Sequence, residues 1–156
     1  ILVVHHDGSY ELTSFELTNR YKVNEIQIIE KFNSAQTLTA VHFDGGSRNY
    51  YVKRFHIETT TTGRRFGFIS EDRGSKLVLI SVGDNPLLEF NYRTKRGEKK
   101  SRKENLADFV EVKGWKALGN KLGSYLRMSR LKWLEENKVE NPNSIEESEV
   151  ELTLFN

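Results

Sequence analysis

The 156-residue chain contains no cysteine. A disulfide framework, a thiolate metal centre and a cysteine nucleophile are therefore all excluded, and the composition suits a reducing compartment. No apolar run approaches the ~20 residues that a membrane helix requires, so no membrane partner is expected. The opening residues Ile1 to Val4 lack the basic start and long apolar stretch of a signal peptide. There is no initiator Met, which suits a segment taken from within a longer chain. Apolar residues make up 37% and charged residues 29%. The length can bury a core of one domain or a few small repeated units, but that core should be thin.

The charge is unevenly spread. Residues 1–92 hold 10 basic and 11 acidic residues, a net of −1. Residues 93–132 hold 13 and 4, a net of +9, and residues 133–156 hold 1 and 7, a net of −6. A near-neutral body, a basic block and an acidic tail point to a polyanionic partner whose access is regulated.

The hydrophobic pattern is mostly that of strands. Ile1–Val4 is a short apolar run closed by a turn at Asp7-Gly8, and Tyr10, Leu12, Phe15 and Leu17 read as the returning strand. Further strands are expected over Glu25–Phe32, Leu38–Phe43 and Asn49–Ile57, the last two separated by a second Asp44-Gly45. The two hairpins are an internal repeat. Val4-His5-His6-Asp7-Gly8 matches Val41-His42-Phe43-Asp44-Gly45, and Phe15-Glu16-Leu17 matches Phe55-His56-Ile57. A fainter third copy begins at Gly67 and runs through Lys76–Val82 and Pro86–Tyr92. A period of roughly 30 to 40 residues with several strands per copy is the pattern of propeller-like blades. Residues 93–104 read as a basic, polar loop, and a strand is favoured over 124–134. The expected organisation is a domain of about three blades over residues 1–134, followed by a disordered acidic tail over 135–156.

Catalytic signatures are absent. His5 and His42 occupy matching repeat positions, so they should lie apart as exposed strand-end histidines rather than converge on a metal. Asp7 and Asp44 belong to turn chemistry for the same reason. Gly114-Trp-Lys-Ala-Leu-Gly119-Asn-Lys121 misses the phosphate-loop pattern, because its Lys falls one place late and no Ser or Thr follows. There is no Gly-x-Ser-x-Gly elbow. The basic residues carry more information. The candidate phosphate contacts are Lys53, Arg54, Arg64, Arg65, Arg73 and Lys76, the run Arg93, Lys95, Arg96, Lys99, Lys100, Arg102 and Lys103, and Lys113, Lys116 and Lys121 around Trp115. Lys and Arg neutralise phosphates and release counterions, while Ser, Thr and turn amides add neutral contacts.

Val110-Glu-Val-Lys-Gly-Trp-Lys-Ala-Leu-Gly-Asn-Lys-Leu122 resembles a stretch of the A subunit of bacterial topoisomerase IV, especially from the Bacteroidetes. Tyr51-Val-Lys-Arg-Phe-His-Ile-Glu-Thr-Thr-Thr61 and Phe68-Ile-Ser-Glu71 are similar to the same family. The resemblance covers most of residues 10–122. It implies an all-β, antiparallel β-pinwheel whose basic rim binds and bends double-stranded DNA without sequence preference. In that family the domain presents the DNA to the strand-passage core of a type IIA topoisomerase. It also implies that the breakage–reunion chemistry lies elsewhere in the A subunit and that the partner B subunit is the ATPase. No cofactor is then expected in this chain, the ATP and Mg²⁺ of the intact enzyme being bound elsewhere, and the setting is cytoplasmic and nucleoid-associated. The Gln-Arg-Arg-Gly-Gly-Lys-Gly box of gyrase A subunits has no counterpart here, which favours topoisomerase IV over its close relative. Two other readings of the same pattern are a propeller-type protein-interaction domain and an RNA-binding β domain using Tyr50 and Tyr51.

The acidic tail follows directly on the basic block, so its effective concentration near that surface is high. Deleting the residues after about Glu135 is expected to tighten duplex binding at low salt, where screening is weakest. Equal affinity of the truncated and full chains at low ionic strength would remove the tail as a competitor.

Overall fold

The computed structural model describes residues 1–14 and 22–134. The acidic tail over 135–156 and the Phe15-Glu16-Leu17 match lie outside the described residues. Three antiparallel sheets form an all-β blade fold, as the strand pattern predicts. In the first blade β1 (Leu2–His5) and β2 (Ser9–Leu12) form a hairpin, β3 (Ile26–Glu30) lies beside β1, and the order is completed by a later strand. The second blade repeats this plan. Its hairpin is β4 (Leu38–Asp44) and β5 (Asn49–Phe55). That later strand of the first blade is the short β6 (Phe66–Gly67), which pairs with β2. In the second blade β7 (Lys76–Ser81) pairs with β4. The third hairpin is β8 (Leu87–Arg93) and β9 (Lys99–Asn105), followed by the single-turn α1 (Leu106–Phe109). The chain then returns to the second blade as β10 (Asn120–Ser124) beside β5, and ends beside β8 as β11 (Met128–Trp133).

The turn chemistry behaves as the repeat predicts. Asp7 Oδ1 accepts from the Ser9 amide at 3.0 Å and from the Ser9 hydroxyl at 2.6 Å. Asp44 Oδ2 accepts from the Ser47 amide at 3.1 Å and hydroxyl at 2.7 Å. These bonds, the Ser47 hydroxyl first among them, hold the Asp44 carboxyl down at about 2. The third copy is displaced from its expected position. Its hairpin is β8–β9, and Lys76–Val82 belongs to the second blade. The supposed basic loop over 93–104 is largely strand, because Gly97 at φ 85 closes a tight turn at Thr94–Glu98 and the polar residues after it pair with the apolar β8 in full register.

The blades are joined by strand exchange. The Gly63 amide donates to Leu12 O at 2.8 Å just before β6 covers β2, and the Lys113 amide donates to Arg54 O at 2.9 Å before β10 covers β5. Each covering segment arrives only after the next blade's hairpin has formed. β4 is buried along its whole length. Leu38 and Ala40 pack into one core with Leu2, Val4, Tyr10 and Phe68, while Val41 and Phe43 pack into a second with Leu88, Phe90, Leu106 and Met128. Trp115 lies in the segment leading to β10, yet packs edge-on against Tyr10 and Phe66 of the first blade, with ring centroids 6.0 and 5.8 Å away.

Gly119 marks the tightest approach in this exchange. Its φ is +97, and a Cβ there would collide with the Val52 carbonyl. Gly119→Ala is therefore expected to cost more than about 2 kcal/mol, from left-handed strain and backbone collision together. A urea denaturation midpoint unchanged by the substitution would show that β10 does not need this approach.

Candidate functional site

A strongly basic concavity lies on the outer face of the third blade. Leu88 and Phe90 of β8 point into the second core, so their neighbours Asn91 and Arg93 take the opposite face. Cross-strand register places Ser101 opposite Asn91 and Lys99 opposite Arg93, and Ser129 of β11 lies opposite Asn91 on the other side. The result is a cleft of about 510 Å³ with Asn91, Ser101 and Ser129 in its lining. Five cations, Arg93, Lys99, Lys100, Arg127 and Arg130, also line it, and no carboxylate does. The arrangement offers hydroxyl and amide donors between guanidinium and ammonium groups, which is the donor set that phosphate oxygens accept. Arg130 sits at φ 57, where a bulge shifts the β11 register between Ser129 and Lys132. That left-handed conformation is uncommon outside glycine and is held here by the pairing on either side.

The predicted cations divide into groups. Arg93, Lys99 and Lys100 line this cleft, joined by Arg127 and Arg130, which are not among the sequence candidates because they fall in the expected strand over 124–134, outside the basic run. Lys95 and Arg96 are exposed at the tip of the same hairpin. Arg64, Arg65 and Lys116 line a second cleft of about 630 Å³ between β6 and the Trp115 segment. Arg54 and Lys113 line a smaller third one together with Glu111. Arg73, Lys76, Lys103 and Lys121 are exposed outside all three, so the structure does not bring the set onto one patch.

Several of these cations have internal partners. Arg65 reaches Asp7 at 3.3 Å and Glu11 at 3.5 Å, and Arg102 reaches Glu104 at 2.7 Å. Arg54 donates to the Thr39 hydroxyl at 3.1 Å. Arg64 and Lys116 lie over the rings of Phe66 and Trp115. Lys53 requires a correction. It is buried, and its ammonium donates to the carbonyls of Phe68 and, at 2.5 Å, of Trp115, against the rings of Phe55 and Phe68. Burial lowers its pKa to about 8. Its period-2 position on β5 turns it inward between two blades, so it joins them rather than meeting a phosphate outside.

The histidines also differ from expectation, since both are buried rather than exposed. His5 Nε2 lies 2.8 Å from Glu11, beside Arg65. His42 stacks on Tyr51, and its Nε2 is 2.9 Å from the Leu118 carbonyl. A carbonyl only accepts, so Nε2 carries the proton and Nδ1, buried without a hydrogen-bond partner, is the bare nitrogen of a neutral ring. Desolvation lowers the His42 pKa to about 4, with Lys53 acting in the same direction.

A blade fold with a carboxylate-free basic cleft defines a class, an all-β module suited to holding a polyanion. The family described as topoisomerase C-terminal domain, Bacteroidota, matches residues 1–128, and the chain belongs to it. The chain matches no curated protein and no solved structure. Among the described residues no helix is long and apolar enough to cross a membrane.

The histidine chemistry sets an acid limit on stability. Because the folded-state pKa of His42 lies below its ordinary 6.5, the unfolded chain takes up the proton first. Stability is full above about pH 6.5 and falls between pH 6.5 and 4, by a total on the order of 3 kcal/mol. Asp44, also depressed, removes a further contribution below that window. His42→Phe is expected to be less stable at neutral pH, because the Leu118 carbonyl loses its donor, but flatter from pH 6.5 to 4. Parallel acid slopes of the two proteins in thermal unfolding would contradict this.

Proposed function

We propose that the chain holds duplex DNA by its phosphates, without sequence preference, and that the cleft of the third blade is a principal contact. The carrying observation is the lining of that cleft, five cations and three neutral donors with no acidic residue. Membership of the topoisomerase C-terminal domain family supports the reading. We infer further that the parent is the A subunit of a type IIA topoisomerase, topoisomerase IV rather than gyrase. There this chain would bend a DNA segment and present it to the strand-passage core. Bending a short site costs a few kcal/mol, and many modest phosphate contacts would have to offset it. No step falls to ATP or Mg²⁺ within this chain. Its partners in this reading are DNA, the rest of the A subunit and the ATPase B subunit, in a cytoplasmic, nucleoid-associated setting.

Lys113, Lys116 and Lys121 are exposed and belong to the second tier of contacts. Arg54, Arg64, Arg65 and Arg102 have internal partners and contribute less, and Lys53 contributes nothing directly. Arg73, Lys76, Lys95, Arg96 and Lys103 are free to extend the path along the surface.

The test is a duplex titration over salt concentration. If the five cleft cations each neutralise a phosphate, the log–log slope is near −4.5, at about −0.9 per contact. Arg127→Ala with Arg130→Ala is expected to reduce the slope by nearly two units and to weaken every duplex equally, with little effect on stability. A flat salt response sinks the DNA reading, and tighter binding of single-stranded RNA than of duplex would favour the RNA-binding β domain. Lys113→Ala, Lys116→Ala and Lys121→Ala together should weaken binding less than the cleft pair. The reverse order moves the main contact to the Trp115 segment.

A further inference from the structure

We propose that Leu126 wedges between adjacent base pairs of the bound duplex from the minor groove, unstacking one step and kinking the DNA; this rests on the duplex-binding reading above. Among the described residues Leu126 is the most exposed large hydrophobic side chain, at 78%. A lone exposed leucine is ordinary on a protein surface. This one is set in the lining of the third-blade cleft, which it shares with Arg127 and Arg130 of its own segment and with Lys99 and Lys100 of β9. Phosphates drawn to those cations bring a base stack against the leucine, so charge complementarity makes the duplex its occupant. An apolar side chain gains nothing from a phosphate, whereas the faces of an opened base step are apolar and bury it.

A wedge must be held firmly, because a side chain that yields cannot open a base step. Leu126 is the middle residue of the 3-10 turn Tyr125–Arg127. Ser124 caps that turn, its hydroxyl accepting from the Leu126 amide at 3.3 Å. The Tyr125 amide donates to the Arg48 carbonyl at 3.0 Å. The Tyr125 ring lies 5.2 Å from that of Phe43 and 6.1 Å from that of Tyr50, centroid to centroid, with the Arg48 guanidinium over it at 5.2 Å. Just after the turn, Met128 is buried in the second core. Tyr125 and Met128 thus fix the turn to the second blade and to the core, while Leu126 between them faces outward. Burying a leucine side chain is worth roughly tenfold or more in affinity, which helps to offset the unstacking of one step.

The test uses the full chain and a short duplex carrying 2-aminopurine at a central TA step, a kind of step that unstacks easily. The emission of this base rises when it loses its stacked neighbour, and an aliphatic wedge does not quench it. At saturating protein the native chain and Leu126→Met are expected to raise the emission at least about threefold over the free duplex, and Leu126→Ala by less than half as much. In a salt titration Leu126→Ala should bind about tenfold more weakly with the slope unchanged, because the phosphate contacts remain. Thermal midpoints of the three proteins should agree, since the side chain is exposed. Equal brightening by the native chain and Leu126→Ala overturns the wedge and leaves salt-dependent duplex binding standing. A flat salt response of the native chain overturns both. Self-association of the native chain that Leu126→Ala abolishes, with equal brightening by the two, overturns the wedge by assigning the leucine to a second copy.

Discussion

The hydrogen bonds by which a later segment covers an earlier hairpin are the constraint on which this structure depends. A two-stranded hairpin is marginal by itself in water. Here β2 and β5 are each completed by chain that arrives only after the next hairpin is in place, announced by the Gly63–Leu12 and Lys113–Arg54 backbone bonds. Among the described residues neither four-stranded blade is closed by its own consecutive residues, so the stability of each is shared with its neighbour. Burial of β4 on both faces follows from the same plan, because the middle blade lies between the other two and must supply side chains to both cores.

Polar groups at the blade junctions are arranged to satisfy that geometry. Carbonyls at Phe68 and Trp115 belong to the two covering segments, and irregular backbone there cannot satisfy them. Lys53 donates to both, and the aromatic rings around it take the place of a counter-ion. His42 does the corresponding work for Leu118. Buried donors of this kind cost desolvation, visible in the lowered pKa of both groups, and the cost is met because an unpaired buried carbonyl would cost more.

Charge is treated differently at the surface. On the first blade Arg65 is neutralised by Asp7 and Glu11, and on β9 Arg102 is neutralised by Glu104. The cations of the third-blade cleft instead share a lining with no acid, so no carboxylate of that lining offsets their mutual repulsion. The difference separates cations held by acidic neighbours from cations without them, a distinction that net charge cannot make.

Alternation of apolar residues and the Asp-Gly turns were enough to determine an all-β chain of hairpins, since side-chain period and turn chemistry are local properties. Charge counts likewise located the basic block, because the third hairpin and its flanking strand are drawn from consecutive residues. Strand exchange was not legible, as the partners of β2 and β5 lie more than fifty residues away and β6 is only two residues long. That is why Lys76–Val82 has the sequence pattern of the third copy yet belongs to the second blade, and why the polar β9, which carries no hydrophobic period, has the sequence pattern of a loop. The cleft depended on the same long-range pairing. Only the register of β8 with β9 and β11 brings Arg93 and Lys99 beside Arg127 and Arg130, and only the inward face of β5 withdraws Lys53 from them. Sequence fixes which residues are charged, but the sheet face on which each emerges is set by pairing partners distant in the chain.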